Sequence, residues 1–528
     1  MKVSAETAII GAGLAGLVTA LELLKKGRNV TIIDAQDRSK IGGLARSAFG
    51  GMAIAGTPLQ KKKGIIDSPE IALADWHSFA EFSPQDEWPK AWAKFYVENS
   101  LEHVYHYLKS IDVTFMPAVN WVERGLEVKG NSVPRYHIIW GCSIRLVEQL
   151  VARLLPYEGK QLTFYFSNKV TKLNLQNNRI EGFDGVSNMN GVAFSCNAEN
   201  TIVACGGFTG NIEKVKQNWP VSWGRPPETI LNGAHCSNDG HLHDAVKNIG
   251  GNLTHMSDMW NYAAGVPDPK GTFPGKGLSL IPCKNALWLD AHGNRIDSPP
   301  LLTGFDTHQM CHQLSQLEHP WSWQILNWRI AAKEFAVSGA SHNGMIRDRR
   351  MLMLLKQIIF GNHALVKQMQ TESEEFIVAN SMEELVAEMN RITPEVAIDP
   401  NQLNQTVAAY DALIEQGEKN WQDDQLQRIM QMRQWSTDKL RTCYPKPILK
   451  DKRLIAIKVN IISRKSLGGI QTNLNSQVLT PTGSSIPGLY AVGEAAGFGG
   501  GGASGKRSLE GTFLAGCILT AKQAAAAL

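Results

Sequence analysis

The sequence predicts an α/β fold in which one domain is interrupted by a long α+β insertion. Three observations predict it. A glycine-rich turn near the N-terminus lies between a strand-like and a helix-like segment. Two later strand-like segments, near residues 205 and 490, also end in glycines, and a long stretch with helical patterns separates these two segments. The chain of 528 residues is also longer than one core usually supports, which favours two domains.

The glycine-rich turn reads Gly11-Ala12-Gly13-Leu14-Ala15-Gly16. The apolar run 7–10 before it predicts a buried strand, leucines and alanines after it predict a helix that stops at Gly27, and a second strand at 30–33 ends at Asp34. In this pattern the first glycine permits the turn, the second leaves room for a pyrophosphate, and the third lets the helix approach the strand. The helix N-terminus can bind phosphates, and the acid can accept bonds from ribose hydroxyls. The pattern predicts a bound dinucleotide.

A second glycine pair, Gly42-Gly43, follows soon after Asp34. Together with the first turn it resembles the extended signature of FAD enzymes. Two more segments match the same superfamily, a strand that ends at Gly206-Gly207 and a strand that ends at Gly493-Glu494. We therefore expect FAD. Succinate dehydrogenases attach FAD to a histidine, and residues 35–60 contain none, so we expect the cofactor to be non-covalent.

The whole chain resembles the fumarate reductase/succinate dehydrogenase flavoprotein superfamily, and within it the FAD-binding dehydrogenases grouped with 3-ketosteroid dehydrogenases. The segments that carry the resemblance are 11–16, 42–43, 130–135, 333–339, 464–469 and 507–513. The resemblance implies a Rossmann-like FAD-binding domain interrupted by an α+β cap (substrate) domain, with substrate between cap and flavin. The expected boundaries are 1–254 and 450–528 for the FAD-binding domain and 255–449 for the cap.

The resemblance also implies the residues that contact FAD. Glu494 is expected to hold the ribityl chain, and Ser508 and Leu509 are expected at the start of the last helix, 509–526, beside the pyrimidine edge of the flavin. The full expected set is Gly11, Gly13, Leu14, Ala15, Gly16, Asp34, Ala35, Gly42, Gly43, Leu44, Ala45, Ser47, Gly50, Gly51, Val170, Ala204, Gly206, Gly207, Gly493, Glu494, Ser508 and Leu509.

The implied reaction is hydride transfer between flavin N5 and a C–C bond next to a carbonyl or carboxylate, as desaturation or enone reduction. Fumarate-like reduction of an unsaturated carboxylate is an alternative, but the cap segment 301–310 lacks the arginine that delivers a proton in fumarate reductases. Steroid 1-dehydrogenases carry a tyrosine where this chain has Gly502-Ala503, which argues against that reaction. A flavin-bound binding protein without turnover is the alternative from another class.

Desaturation needs a base for the α proton and a donor that polarises the carbonyl. Arg507 lies just before the predicted last helix, and Arg464 and Lys465 precede a glycine pair that should approach the flavin. Tyr262 lies at the predicted entry to the cap, and Tyr136 follows the segment 130–135. These five are the candidate catalytic residues. The alternatives are ion pairs or solvated positions for the cations and core packing for the tyrosines.

Further predictions concern one glycine-rich stretch and the secondary structure before and within the insertion. The stretch 497–505 is rich in glycine, and we expect its backbone to lie against a flat ligand rather than to form a linker. Before the insertion, periodicity predicts strands at 162–166, 169–175, 179–183 and 192–194, and within it helices at 323–336, 347–360, 382–389 and 401–416.

Composition narrows the function classes. The formal net charge of +4 and the absence of basic stretches with aromatic residues exclude a typical nucleic-acid binder. Eight cysteines without a CxxC pair fit a reducing compartment, no run is long enough to span a membrane, and no secretory signal precedes the first strand, so we expect a cytoplasmic protein. The spacings of His241 with His243 and of His308 with His312 do not suggest a metal site. We expect a small apolar or carboxylate substrate; the sequence does not identify the electron donor or acceptor.

Overall fold

The structure, a computed structural model, describes residues 2–528. Its strands are β1 (Lys2–Ile10), β2 (Val30–Ile33), β3 (Gly51–Ala53), β4 (Phe115–Asn120), β5 (Tyr136–Ile139), β6 (Leu162–Tyr165), β7 (Asn168–Gln176), β8 (Arg179–Ser187), β9 (Ala193–Val203), β10 (Leu231–Asn232), β11 (Leu253–Thr254), β12 (Met259–Pro267), β13 (Gly277–Ile281), β14 (Leu287–Leu289), β15 (Trp321–Asn327), β16 (Ala336–Val337), β17 (Phe376–Ala379), β18 (Leu454–Ser466), β19 (Gly469–Ile470), β20 (Gln477–Leu479) and β21 (Ser485–Ala491). Its helices are α1 (Leu14–Lys25), α2 (Gly43–Ser47), α3 (Pro58–Lys62), α4 (Pro69–Ala80), α5 (Glu87–Ser100), α6 (Tyr107–Ser110), α7 (Cys142–Leu154), α8 (Ile212–Gln217), α9 (His241–Asn248), α10 (Thr307–Ser315), α11 (Trp328–Glu334), α12 (Gly344–Arg347), α13 (Met351–Phe360), α14 (His363–Glu372), α15 (Met382–Ile392), α16 (Pro400–Glu415), α17 (Asp424–Arg433), α18 (Ser436–Arg441) and α19 (Thr512–Ala527).

The chain divides into two compact units. The first comprises residues 1–220, 234–260 and 464–528, and the second comprises 221–233 and 261–463. The chain therefore leaves the first unit and returns to it, as an interrupted domain must. The functional boundaries predicted from the sequence, 254/255 and 449/450, stay a prediction.

The central sheet of the first unit is built from three distant segments of the chain. Its order is β20-β21-β9-β1-β2-β6, and the pairs β21–β9, β9–β1, β1–β2 and β2–β6 are parallel. Ile9 pairs with Ile32 on one side and Ile202 on the other, and all three side chains are buried. The α/β fold predicted from the sequence is confirmed. The predicted strand 192–194 and the strand predicted to end at Gly206-Gly207 form one long strand, β9, which ends at Val203, before the glycine pair.

Helices α1 and α19 pack against each other in the first unit. Leu17, Leu21 and Leu24 lie at helical spacing on α1 and are at most 2% exposed. Burial of a leucine stabilises by about 1.5–3 kcal/mol, so this face fixes the helix and with it the turn at its N-terminus. At the other end Lys26 Nζ donates to the Ala525 carbonyl of α19 at 2.6 Å.

The second unit contains most of a mixed sheet of order β14-β15-β18-β12-β13-β16, with β10 and β17 also paired to β18. The predicted helix 323–336 was wrong for its first part, 323–327, and is confirmed only over 328–334. The segment forms β15, which pairs antiparallel with β18, followed by the short helix α11. Every residue of β15 is buried. Residues 321–325 alternate between apolar and polar side chains, as a strand does, but the predicted helix began inside this alternation, at residue 323, and continued into the apolar residues of α11.

Three other helices were predicted in the second unit, and the structure confirms two of them. Helices α15 and α16 confirm the predictions at 382–389 and 401–416 within a few residues. The predicted helix 347–360 is two helices, α12 and α13, because Arg349 has a left-handed backbone with φ of 56°. Among residues 2–528, no helix combines the length and the apolar character needed to cross a bilayer.

Candidate functional site

In the turn between β1 and α1, backbone segments approach so closely that two positions require glycine. Gly11 has φ of 115°, and a β-carbon there would lie 2.4 Å from the Ala204 carbonyl oxygen. A β-carbon on Gly16 would lie 2.0 Å from the Gly11 carbonyl oxygen. Both glycines are thus explained by close backbone approach within the protein.

Gly13 is different, because nothing in the protein explains it. Its φ of −74° suits any residue, and a β-carbon there would meet no atom within 4 Å. The space beside it lies at the N-terminus of α1, whose first turn has no acidic residue and whose N-cap has no side-chain hydrogen bond. Leu14 and Ala15, the first residues of α1, are buried. An open position before uncapped helix N–H groups fits a pyrophosphate.

Asp34 follows β2, next to this turn. Its carboxylate accepts from the Ala12 N–H at 2.6 Å and from the Gln36 N–H at 2.7 Å. Burial raises the pKa of Asp34, and the two backbone donors oppose that rise. Each oxygen keeps one lone pair that a ribose hydroxyl could use. The neighbouring Ala35 carbonyl accepts from the Asn188 side chain at 2.8 Å.

The second glycine pair packs directly on the first turn. The Gly42 N–H donates to the Ala12 carbonyl at 2.8 Å, and a β-carbon on Gly43 would lie 3.4 Å from the Gly13 α-carbon. Helix α2 starts here and contains the remaining predicted residues of this segment: Leu44, Ala45 and Ser47, whose hydroxyl donates to the Leu44 carbonyl at 3.1 Å. The sequence motifs at 11–16 and 42–43 therefore form one surface.

The segment after β9 meets the segment after β21. A β-carbon on Gly207 would lie 2.2 Å from Ser466 Oγ and 2.4 Å from Glu494 Oε1. The Glu494 carboxylate is buried and accepts from the Ser466 N–H at 3.1 Å, and burial raises its pKa. Gly206 and Gly493 both have positive φ, and the Ala204 N–H donates to Ile10 of β1. Three distant motifs thus converge beside the turn.

Val170 is buried in β7. Its carbonyl lies 2.7 Å from His241 Nε2, while His241 Nδ1 lies 2.5 Å from Asp239 Oδ1. Both ring nitrogens of His241 therefore have partners within the protein. In the second unit, the ring of His312 stacks on the ring of Trp223, and the ring of His308 packs edge-on against it.

Tyr136, at the start of β5, lies on two glycines. A β-carbon on Gly51 would lie 1.8 Å from the Tyr136 hydroxyl oxygen, and one on Gly511 would lie 2.8 Å from its ring. Gly51 and the preceding Gly50 belong to the predicted cofactor segment, and Gly511 is the N-cap of α19. The structure therefore brings this candidate catalytic residue beside two segments expected to contact FAD.

The last helix begins later than predicted. Gly511, the N-cap, has a left-handed backbone with φ of 98°, so α19 starts at Thr512 rather than at residue 509. Ser508 and Leu509 lie in the turn before it, where Ser508 Oγ is 2.8 Å from Thr512 Oγ1. Arg507 therefore lies five positions before the first helical residue. Its buried guanidinium pairs with Glu81 Oε1 at 2.7 Å.

Arg464 and Lys465 end β18. The Lys465 ammonium lies 5.9 Å from the centre of the Phe513 ring in α19, within the range of a cation–π contact. Burial lowers its pKa, and the nearby Glu494 carboxylate opposes that shift. Trp260 completes this apolar surrounding, with its ring 5.8 Å from Phe513. The fifth candidate, Tyr262, is two residues further along β12 and belongs to the second unit.

The glycine-rich stretch 497–505 is buried throughout, so it is not a linker. The expectation that its backbone lies against a flat ligand stays a prediction, but protein contacts already explain the four consecutive glycines in it. A β-carbon on Gly499 would lie 2.6 Å from the Trp92 ring, on Gly501 2.1 Å from Thr254 Oγ1 and on Gly502 2.7 Å from the His255 ring. A β-carbon on Gly500 would lie 2.7 Å from the Trp88 backbone. Protein atoms therefore fill the space that side chains at these four positions would need.

The sequence did not predict two clusters of charged side chains. Arg135 is buried and bonds to Asp67, Asp75 and Asn131, with its Nη1 2.6 Å from Asp75 Oδ2. The two carboxylates lie far before Arg135 in sequence, so no local pattern reveals the cluster. It fixes the segment that leads into Tyr136. Next to that, His137 is buried between the Arg135 carbonyl and the Thr57 hydroxyl, and burial lowers its pKa to about 4.

The second cluster is centred on His255, below Gly502. His255 Nδ1 lies 3.0 Å from Asp258 and Nε2 lies 2.9 Å from Asp86. The hydrogen bond to Asp258 raises the pKa of the imidazole, and both carboxylates add to that rise. The spacing of His255 and Asp258 could have suggested this contact, but Asp86 could not be linked to it.

One group of possible metal ligands occurs among residues 2–528. It consists of His292, Glu318 and His319 in the second unit, and it is largely exposed. Exposed side chains of this kind are common without a metal, so the group does not alter the picture of the site.

The residues of the first unit fit FAD. The space at Gly13, the uncapped start of α1 and the carboxylate of Asp34 can hold pyrophosphate and ribose. The converging segments at Gly207 and Glu494 can hold the more distant part of a long dinucleotide.

Comparisons with known proteins agree with this geometry. The family described as FAD binding domain matches residues 6–514. A KsdD-like steroid dehydrogenase of Mycobacterium tuberculosis is 37% identical over 99% of this chain and 95% of its own length. A KsdD-like steroid dehydrogenase of Mycolicibacterium smegmatis is 37% identical over 97% of this chain and 96% of its own length.

Solved structures show the same fold. The 3-ketosteroid Δ1-dehydrogenase of Sterolibacterium denitrificans superimposes with a TM-score of 0.74, at 14% identity and 99% coverage of both chains. A flavocytochrome c3 fumarate reductase superimposes with a TM-score of 0.71, at 18% identity, over 99% of this chain and 78% of its own. The superfamily and the cofactor expected from the sequence are thereby confirmed. The chain belongs to the FAD-binding family and, within it, to the KsdD-like steroid dehydrogenases, and it is an FAD-dependent oxidoreductase that acts on carbon–carbon bonds.

Proposed function

We propose that this oxidoreductase desaturates the C–C bond next to the ketone of a 3-ketosteroid or of a similar alicyclic ketone, or reduces the corresponding enone. The observation that carries the proposal is 37% identity to KsdD-like steroid dehydrogenases along nearly the whole chain. Fumarate-like reduction is not favoured, because the similarity to the fumarate reductase shows the fold alone and residues 301–310 contain no arginine.

In this proposal FAD, when bound, exchanges a hydride with substrate. The start of α1 and the open space at Gly13 bind its pyrophosphate, and Asp34 binds the ribose hydroxyls. Glu494, which the Ser466 N–H orients, binds the ribityl chain. Ser508 and Leu509 contribute from the turn before α19 rather than from its first turn. Non-covalent attachment is part of the proposal, because residues 35–60 contain no histidine.

We assign the acid/base role to Tyr136. Its phenol is held over Gly51 and Gly511, between the predicted cofactor segment and the start of α19, and this contact fixes the ring. Lys465 supplies positive charge in a buried, aromatic surrounding, where a cation stabilises developing negative charge more strongly than in water. Arg464, Arg507 and Tyr262 remain in the proposed catalytic set, with Arg507 oriented by Glu81.

The proposal extends to the cellular setting. Eight cysteines with free thiols fit a reducing, cytoplasmic compartment. The substrate is a small apolar molecule, and the region 255–449 is proposed to act as the substrate domain. The electron acceptor is not assigned.

Anaerobic mixing of the purified flavoprotein with substrates tests the proposal. We expect a saturated 3-ketosteroid to bleach the oxidised flavin, and an enone such as 4-androstene-3,17-dione to reoxidise photoreduced flavin. Reoxidation by fumarate alone would support the alternative reaction. A flavin that responds to none of these compounds would support a binding protein without turnover.

The role of Tyr136 can be tested separately. Tyr136→Phe keeps the ring on its glycines and removes the hydroxyl, so we expect kcat to fall by about 100- to 10,000-fold with unchanged flavin content. Tyr444→Phe, which removes an exposed hydroxyl bonded to Glu418, is the matched control and should leave kcat unchanged. Full turnover by Tyr136→Phe would remove Tyr136 from the mechanism.

A further inference from the structure

Helix α13 of the second unit exposes an apolar face. The exposed fractions are 83% for Leu352, 67% for Ile359 and 68% for Phe360, and 48% and 46% for Met353 and Leu355. Of the ten residues of the helix, one, Leu354, is buried. A surface helix normally places its apolar side chains toward the core and its polar side chains in water. In α13 this arrangement is reversed.

These exposed side chains are contiguous. At ~100° per residue, positions 352, 353, 355, 359 and 360 fall within an arc of about 160° on one side of the helix. Lys356 lies in the same arc. A lysine can cover apolar surface with its methylenes while its ammonium reaches a polar layer. The arc is thus a strip of large apolar side chains with one long cation in it.

A second helix extends the strip. Helix α18 lies beside α13, and its Leu440 is 57% exposed. The residues on either side, Lys439 and Arg441, are also exposed. We call the exposed side chains of α13 together with Leu440 the apolar strip.

Basic residues surround the apolar strip. Segment 347–360 contains Arg347, Arg349, Arg350 and Lys356 against one acid, Asp348, a net charge of +3. Asp348 pairs with Arg347 at 2.7 Å, whereas Arg349 and Arg350 are exposed at the N-terminal end of α13. A strip of apolar side chains next to unbalanced positive charge is complementary to a surface that is apolar inside and anionic outside.

We propose that the apolar strip docks this protein on the surface of a membrane that contains anionic lipids. Leu352, Ile359 and Phe360 enter the boundary between headgroups and acyl chains, and Arg349, Arg350 and Lys356 contact lipid phosphates. The ten residues of α13 are too few to span a bilayer, so the contact is peripheral. A protein partner would need an acidic rim around a groove; the positive charge on both helices favours a lipid surface. The inference does not depend on the substrate.

Flotation with lipid vesicles tests the docking. Flavin-loaded full-length protein is mixed with vesicles of phosphatidylcholine alone or with phosphatidylglycerol added. We expect binding to the anionic vesicles, weaker binding in high salt, and a partition coefficient about tenfold or more lower for Ile359→Ser/Phe360→Ser. Arg349→Gln/Arg350→Gln should lower binding to anionic vesicles by about tenfold.

The matched control is Ile66→Ser/Val221→Ser. It removes two apolar side chains that are 84% and 94% exposed but lie outside the strip, and it should bind as the unmodified protein does. Binding that is absent, or that Ile359→Ser/Phe360→Ser leaves unchanged, would overturn the proposal. A concentration-dependent dimer that this variant abolishes, without vesicle binding, would assign the strip to self-association instead. Turnover of a soluble substrate should be equal in all variants, so a failed activity assay leaves this test intact.

Discussion

Two glycine-rich regions of the first unit have similar composition and different physical causes. In the N-terminal turn, Gly13 has an ordinary φ and faces space that no protein atom fills within 4 Å. In the stretch 497–505, Gly499, Gly500 and Gly501 have positive φ, and the positions of their missing side chains are filled by Trp92, Trp88 and Thr254. The first region leaves room for a ligand, and the second leaves room for the protein itself.

The difference teaches how to separate a binding glycine from a packing glycine. A packing glycine is required by its φ or by a neighbouring protein atom, so its replacement lowers the free energy of unfolding. A binding glycine is required by neither, so its replacement lowers affinity and leaves the fold intact. The expected effects below follow from that distinction.

The largest effect is expected for Gly501→Ala. Its φ is 78°, and the new methyl group would lie 2.1 Å from Thr254 Oγ1, so we expect a loss of about 3 kcal/mol in the free energy of unfolding. Gly27→Ala is the matched control, because Gly27 has φ of 79° and no atom within 4 Å of the added methyl; its cost should be about 1 kcal/mol. Denaturant titration measures both. Equal losses would show that packing on Thr254 is not the cause.

Gly13→Ala should have the opposite signature. Because a methyl group there takes the space proposed for the pyrophosphate, we expect FAD affinity to fall by about 100-fold or more. The apoprotein should keep its melting temperature or gain about 0.4–1 kcal/mol, since the substitution restricts the unfolded chain. Flavin titration and thermal melting of the apoprotein check this. Gly16→Ala, which places a methyl 2.0 Å from the Gly11 carbonyl oxygen, should lower both the melting temperature of the apoprotein and its affinity for FAD. A destabilised Gly13→Ala apoprotein with normal affinity would contradict the distinction.

The ligand-binding region should lose affinity as pH falls. Ribose hydroxyls that donate to the Asp34 carboxylate stabilise its ionised form, so FAD lowers the pKa of a group that burial has raised above the ordinary 3.8. By linkage, affinity is complete above the pKa of the free protein and declines as pH falls through it. Asp34→Asn should bind FAD about tenfold more weakly at neutral pH and lack this decline. A pH-independent affinity in the unmodified protein would argue against ribose binding by Asp34.

The packing region should lose stability as pH rises. The hydrogen bond to Asp258 raises the pKa of His255 above the ordinary 6.5, and Asp86 adds to this rise. The stabilisation is therefore complete below pH 6.5 and is lost as pH rises through the folded-state pKa. We expect the smallest effect here, up to about 1 kcal/mol, the range for partly exposed ion pairs. Thermal melting against pH should show a flatter profile for His255→Gln; an unchanged profile would show that this imidazole is not charged.

The fold was predictable where local pattern and tertiary structure agree. The alternation of β1, α1 and β2 around Gly11–Gly16 is visible in the sequence, because the apolar run, the helical period and the acid each have a local signature. β15 was missed because its alternation of apolar and polar residues is only five residues long, 321–325, and leads directly into the apolar residues of α11. The start of α19 was misplaced because nothing local marks the left-handed Gly511 as an interruption rather than a helical glycine.

The site was predictable for its backbone and less so for its charges. Glycine motifs at 11–16, 42–43 and 206–207 indicated a common surface, and the structure brings them together. The bonds of Arg135 to Asp67 and Asp75 join residues far apart in sequence, and a single sequence contains no signal for such pairs. The same limit applies to Glu81, which pairs with Arg507 across the chain.

The parallel sheet of the first unit constrains how the chain folds during synthesis. β9 pairs with β1 early in the chain, but the neighbour on its other side, β21, is translated only after the whole second unit. On that side β8 covers Ala193–Asn197, but until β21 is made the end of β9 at Thr201–Val203 has no strand to pair with, and Glu494 does not yet exist. Nascent chains should therefore need protection of that part of the edge, and a chain truncated before residue 485 and released from the ribosome should have a second unit that resists proteolysis while its first unit is still cleaved.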